Sequence, residues 1–90
     1  MTLGQKLRFY RTAEGYSQKK IADVLSIERS TYSYYERDKV LPSLCSVFIL
    51  AKLYRVSMEF LVDDRLEPVG AKDFLAAEAE KKNRRKKRDI

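Results

Sequence analysis

Histidine and tryptophan are absent from this 90-residue chain, and cysteine occurs once, at Cys45. One thiol cannot close an intrachain disulfide, so no disulfide framework is expected to support the fold. With no histidine beside that thiol, a structural zinc site of the usual Cys/His kind is excluded, and no metal site is expected. The same absence removes the commonest general acid–base residue, and no glycine-rich phosphate loop appears among the three glycines. Cys45 falls in an apolar helical run, where a thiol is ordinarily inert. Neither an enzyme nor a cofactor is therefore expected. The longest apolar run, Val47 to Ala51, is five residues, against the ~20 that a membrane helix needs. No charged-then-apolar signal opens the sequence. The expectation is a soluble intracellular protein with no membrane partner. At this length only ~60–65% of the unfolded surface is buried on folding, so the core is modest.

Charge is plentiful and unevenly placed. The net +6 comes from 19 Lys and Arg against 13 Asp and Glu, with a sequence pI near 9.6. Residues 81–88, KKNRRKKR, carry +7, and Asp89 leaves +6 on residues 81–90. Residues 1–80 sum to zero, but 1–58 hold ten basic against five acidic side chains and 59–80 hold two against seven. A basic excess suits a polyanionic partner, most often nucleic acid. A like-charge run is by composition a solvated tail, however, and charge alone does not establish DNA binding. These shifts divide the chain into a domain over 1–62, an acidic linker or extra helix over 63–80, and a basic tail over 81–90.

The elements read as helices throughout. Thr2 and Gln5 fit a capping box, Leu3, Leu7 and Tyr10 recur at helical spacing, and Gly15 marks the stop of a helix over about 2–14. Ser17 caps a second helix, whose inward stripe is Ile21, Ala22, Val24 and Leu25. After Ser26-Ile27-Glu28 a third helix spans about 28–37. Tyr32 and Tyr35 face one side of it, while Arg29, Ser30, Ser33 and Arg37 gather on the other. Pro42-Ser43 opens a fourth helix containing Leu44, Val47, Phe48, Leu50 and Ala51. Ser57 caps a short fifth, from Met58 to about Val62. No strand alternation survives, so the fold is all-α.

Two short helices joined by a tight turn, the second with a polar outer face, form a helix-turn-helix arrangement whose second helix fits the ~12 Å major groove of B-DNA. The run from Tyr16 through Leu25, then Ile27, then Arg29 through Arg37, then Pro42-Ser43-Leu44, resembles the lambda-repressor/Cro-like (XRE-type) helix-turn-helix family. The resemblance continues through Ala51-Lys52, Val56-Ser57 and Leu61, covering about residues 3–62. It implies a five-helix lambda-repressor-like domain, with residues 71–80 as a candidate additional helix.

The resemblance also implies roles, position by position. Gln18 aligns with a glutamine that contacts a DNA phosphate, with Ser17 beside it, although Ser17 is in the first place a helix cap. Arg29, Ser30 and Ser33 align with base-reading positions, and Tyr34 with a contact to backbone or a thymine methyl. On a wet face Arg29 is by default a solvated arginine; its place in the motif is what singles it out. Arg37 and Lys39 match phosphate-binding positions after the third helix. Arg11 and Glu36 match a structural ion pair. The family prefers glycine where this chain has Ser26, which must then take a left-handed turn, and Ser or Thr where it has Glu28, expected to cap only weakly.

At Cys45, Ile49 and Phe60 the family usually carries polar residues. Cys45, Ile49 and Leu53 lie at i, i+4 and i+8, one apolar stripe. Surplus apolar surface usually marks an interface, so a homodimer through Ile49, Leu53 and Phe60 is expected. The alternative is that residues 71–80 fold back and cover the stripe with Phe74 and Leu75. The function implied is a transcriptional regulator, a repressor of bacterial or phage origin in the cytoplasm, binding a double-stranded DNA operator as a dimer. The competing function is the antitoxin of a toxin–antitoxin pair, with a protein partner held through residues 59–90. A weaker option is a tail-driven RNA binder.

Overall fold

A computed structural model describes the backbone of residues 1–88 and the side chains of residues 1–82. Most of the basic tail expected over 81–90 therefore lies outside the described side chains. The described residues form six helices and no strand: α1 (Leu3–Ala13), α2 (Gln18–Leu25), α3 (Arg29–Glu36), α4 (Leu44–Tyr54), α5 (Met58–Val62) and α6 (Ala71–Arg88). No described helix is long and apolar enough to cross a membrane.

Side-chain caps start four of these helices where the sequence places them. Thr2 and Gln5 form a reciprocal capping box on α1. Ser17, Ser43 and Ser57 accept from the backbone N–H three residues on, opening α2, α4 and α5. Glu28 sits at the N-cap of α3 but makes no side-chain bond to it. The expected weak cap is absent, because its longer side chain does not reach back to the free amides as a serine or threonine does. At the other ends, Ser26 and Arg55 close α2 and α4 in the left-handed conformation, with φ of 57° and 59°.

Leu7, Ile21, Tyr32, Leu50 and Leu61 are fully buried at the centre, and Leu3, Ala22, Leu25, Tyr35, Val47, Ala51 and Tyr54 surround them. The inward stripe of α2 is narrower than expected, since Val24 is exposed. The turn from Ile21 and Ala22 to Leu25 already fills the helix face toward α3, and Val24 lies on the flank. α4 divides likewise. Val47, Leu50, Ala51 and Tyr54 point inward, and Leu44, Phe48 and Ile49 remain exposed.

α6 carries Phe74 and Leu75, the residues of the fold-back alternative. Its first turns lie on α1, where Phe74 meets Phe9 edge to face at 5.4 Å and Glu78 pairs with Arg8 at 3.3 Å. Ala71 and Pro68 are buried at the start of this contact. Phe74 thus packs on α1, while Cys45 and Ile49 of the α4 stripe remain exposed. Behind α1, the buried Lys6 donates its Nζ protons to the carbonyls of Phe60 and Asp63, closing the C-terminal end of α5. Burial lowers the Lys6 pKa, and the nearby Asp64, Asp63 and Glu67 oppose that shift.

Candidate nucleic-acid interface

α2 and α3 are joined through Ser26, Ile27 and Glu28, and α3 packs against both α2 and α1. The approach of α1 is close. A Cβ on Gly4 would lie 2.6 Å from the carbonyl oxygens of both Tyr35 and Glu36, so only glycine fits there. Just past α3, Asp38 takes a left-handed conformation, φ 56°, and turns its carboxylate back onto α1. That carboxylate accepts from the Thr2 hydroxyl at 2.6 Å and from the Gly4 amide at 2.9 Å. One side chain thereby ties the end of α3 to the start of α1, satisfying a free amide of the first turn. Sequence reading missed Asp38, whose partners lie 34 and 36 residues away. The only local signal is that Asp tolerates positive φ better than most residues do.

Held this way, α3 has two unlike faces. Tyr32, Tyr35 and Glu36 are buried. Arg29, Ser30, Tyr34 and Arg37 are exposed, as is Lys39 beyond the helix, while Ser33 is half-buried among them. The Arg37 guanidinium lies over the Tyr34 ring at 5.0 Å, a cation–π contact that fixes both at the surface. Ser17 spends its side chain on the Lys20 amide at 3.0 Å, the capping role, and remains exposed at the start of α2.

Arg11 and Glu36 pair as the resemblance implied. Arg11 Nε and Nη2 donate to the two carboxylate oxygens at 2.5 and 3.1 Å, and its Nη1 donates to the Tyr16 carbonyl at 2.9 Å. Burial alone raises the Glu36 pKa, but the bonds from Arg11 and Gln18, with the Tyr32 hydroxyl beside it, hold it below the usual carboxylate value. Among the described residues, the Tyr32 and Tyr54 hydroxyls are buried without a partner in hydrogen-bonding geometry. Burial and the facing carboxylate push both phenols upward.

Gln18 is more engaged than a bare phosphate ligand. Its Nε2 donates to Glu36 Oε1 at 3.1 Å, and its Oε1 accepts from Arg29 Nη1, also at 3.1 Å. A continuous line of bonds runs from Arg11 in the interior through Glu36 and Gln18 to Arg29 on the surface.

Away from this face, Leu44, Cys45, Phe48, Ile49 and Met58 line an apolar groove of about 480 Å³ on α4 and α5. Ile49 belongs to it. Leu53 is half-buried against the core, and Phe60 is half-buried with Lys6 over its ring at 5.2 Å. The three residues expected to form a dimer interface therefore do not share one groove.

The family model for the helix-turn-helix matches residues 7–61. This chain belongs to the helix-turn-helix family. It is 41% identical over 59 residues to the SPbeta prophage-derived uncharacterized HTH-type transcriptional regulator YonR of Bacillus subtilis (strain 168), covering 66% of this chain and 55% of that one. It is 39% identical over 62 residues to the HTH-type transcriptional regulator ImmR of the same organism, covering 69% and 49%. A third relative, the uncharacterized HTH-type transcriptional regulator YobD, is 32% identical over 77 residues. The chain spans about half the length of the first two. α2 and α3 are the two helices of that motif.

Proposed function

We propose that this helix-turn-helix chain is a sequence-specific DNA-binding transcription regulator, a repressor of the Cro type in a bacterial cytoplasm. The observation that carries this reading is the division of α3, whose buried side is locked by Tyr32, Tyr35 and Glu36 while Arg29, Ser30, Ser33 and Tyr34 lie on the outer side. α3 enters the major groove. Arg29 donates two parallel N–H groups to guanine O6 and N7, and the two serines and Tyr34 read or border adjacent pairs. Gln18, Ser17, Arg37 and Lys39 bind phosphates on either side and set the register. The relatives' names as transcriptional regulators support the same reading.

Arg29→Ala tests it. Preference for the cognate base pair falls by ~1–3 kcal/mol, and affinity for unrelated duplexes is nearly unchanged, as read by titration against selected and scrambled DNA. An equal loss on every sequence would refute base reading.

The regulator acts as a dimer, its two copies of α3 about 34 Å apart in successive major grooves. The exposed Ile49 and its neighbours on α4 support this, together with the half-buried Leu53 and Phe60. Sedimentation at two concentrations tests it: a mass near twice 10.6 kDa is expected at the higher one, and Ile49→Glu returns the chain to monomer.

A further inference from the structure

We propose that α6 is a helical arm that grips the phosphate backbone of the same duplex, beside the stretch that α3 enters, and that Phe74 and Glu78 aim it there. The arm rests on the reading above, in which α3 enters the major groove.

Helical phase on α1 fixes the path of α6. Positions advance by about 100° per residue. Measured from the fully buried Leu7, Arg11 lies about 40° round, Gly4 about 60°, Arg8 about 100°, Phe9 about 200° and Lys6 about 260°. The partners of these residues mark the flanks. Gly4 and Arg11 meet the last turn of α3, through the Tyr35 and Glu36 carbonyls and the Glu36 carboxylate. On the opposite flank Lys6 holds the carbonyls of Phe60 and Asp63. α6 crosses the back of α1 from this second flank toward the first. A Cβ on Gly70 would lie 3.9 Å from the Phe9 ring, Phe74 meets the same ring, and Glu78 has reached Arg8. Positions 70, 74 and 78 are four apart, so one stripe of α6 makes the whole crossing.

The crossing separates charges that cancel in the sequence. Asp63, Asp64 and Glu67 stay beside Lys6, on the α5 flank. Residues 81–88, with seven positive charges, follow Glu78 and continue as helix to Arg88. Ten residues at about 1.5 Å each carry the helix about 15 Å past Glu78, more than the ~10–12 Å diameter of α1. It therefore emerges on the flank that holds the end of α3. Arg37 and Lys39 are exposed at that end, and Lys81 and Lys82 are exposed where the basic run begins.

The composition of the run names its partner. Residues 81–88 are lysine, arginine and one asparagine. They offer no aromatic ring on which an unpaired base could stack, whereas a duplex presents one negative charge per ~1.7 Å of axis. A free tail would meet those phosphates anywhere within its reach. A docked helix meets them at one place, with less ordering left to be lost on binding.

The test uses the full chain and a duplex selected from a random pool by the wild type, with phosphates mapped by ethylation interference. Beyond the phosphates around each α3 site, the wild type is expected to show a further group at a fixed position to one side. Deleting residues 81–90 is expected to erase that group alone and to lower affinity about fivefold or more at low salt. A map unchanged by the deletion would overturn the arm. Two further variants keep every charge. Phe74→Ala loosens the crossing, and two glycines inserted between Lys82 and Asn83 leave the crossing intact but break the helix beyond it. Circular dichroism confirms the fold of each. In both, the further group is expected to spread along the duplex while base preference is retained. Maps identical to the wild type in both would overturn the aiming and leave a tail that needs no docking. If the wild type selects no sequence and the deletion abolishes all binding, the reading of α3 fails and the arm falls with it, a result distinct from the others.

Discussion

Removing the Glu36 carboxylate would strand the Arg11 guanidinium, which is close to nine-tenths buried and has its other bond to a backbone carbonyl. Breaking a buried pair from one side typically costs ~3–5 kcal/mol, most of the stability of a small domain. The pH dependence has a definite sign. The folded Glu36 pKa lies below its ordinary value of 4.5, so its contribution is complete above that value and is lost as pH falls through the depressed one. Urea titrations across acid pH are expected to show wild-type stability declining below about pH 4.5, with a shallower decline in Glu36→Gln. The alkaline side belongs to the tyrosines. The Tyr32 pKa is raised above its ordinary 10.0, so stability is complete below that value and is lost as pH climbs above it. The Tyr32 hydroxyl faces the Glu36 carboxylate outside good hydrogen-bonding geometry, so Tyr32→Phe is expected to change stability at neutral pH by less than ~1.5 kcal/mol. The same variant should move the alkaline unfolding midpoint upward, which a pH-jump fluorescence titration reads directly.

Between elements, the tightest junction is α1 against α3. Gly4→Ala inserts a Cβ 2.6 Å from two backbone oxygens that cannot swing aside. α1 must then lift away from α3, which is expected to cost ~1–3 kcal/mol or more, seen as a lower thermal midpoint. DNA affinity is expected to fall as well, because Asp38 couples the same two ends. Glycine in a first helical turn looks indifferent in the sequence, and its reason appears only when α3 is laid across it. That contrast marks what was legible. The caps at Thr2, Ser17, Ser43 and Ser57, the left-handed turn at Ser26, and the inward Tyr32 and Tyr35 depend on neighbours within a few residues, and the sequence predicts them. The Arg11–Glu36 pair was legible through family resemblance. Phe74 against Phe9, Asp38 against Thr2 and Gly4, and the double engagement of Gln18 were not. Each depends on how two helices cross, and a periodic pattern gives a face without naming what meets it. The exposure of Val24 and Phe48 has the same origin, since apolar identity does not say whether a partner helix reaches that flank.

At the scale of the molecule, charge and shape answer to different parts of the chain. Deleting residues 81–90 removes a net +6 and shortens α6, keeping the turns that carry Phe74 and Glu78. The expected result is weaker binding to all duplexes and a shallower dependence of log K on log salt, with base preferences retained. Loss of preference in that deletion would instead place recognition in the tail. α3 then has a consequence of another kind. Its eight residues keep packed and solvent-facing side chains on opposite sides, with Tyr32, Tyr35 and Glu36 inward and Arg29, Ser30 and Tyr34 outward. Outward substitutions of this sort usually change stability by no more than about 0.5 kcal/mol. With base reading by that outer side as proposed, a lineage carrying this scaffold is free to drift from one operator to another through folded intermediates. Ser30 and Tyr34 are open to change one at a time, whereas replacing Arg29 also removes a hydrogen bond to Gln18. The fold thus sets the order in which new binding sites are acquired.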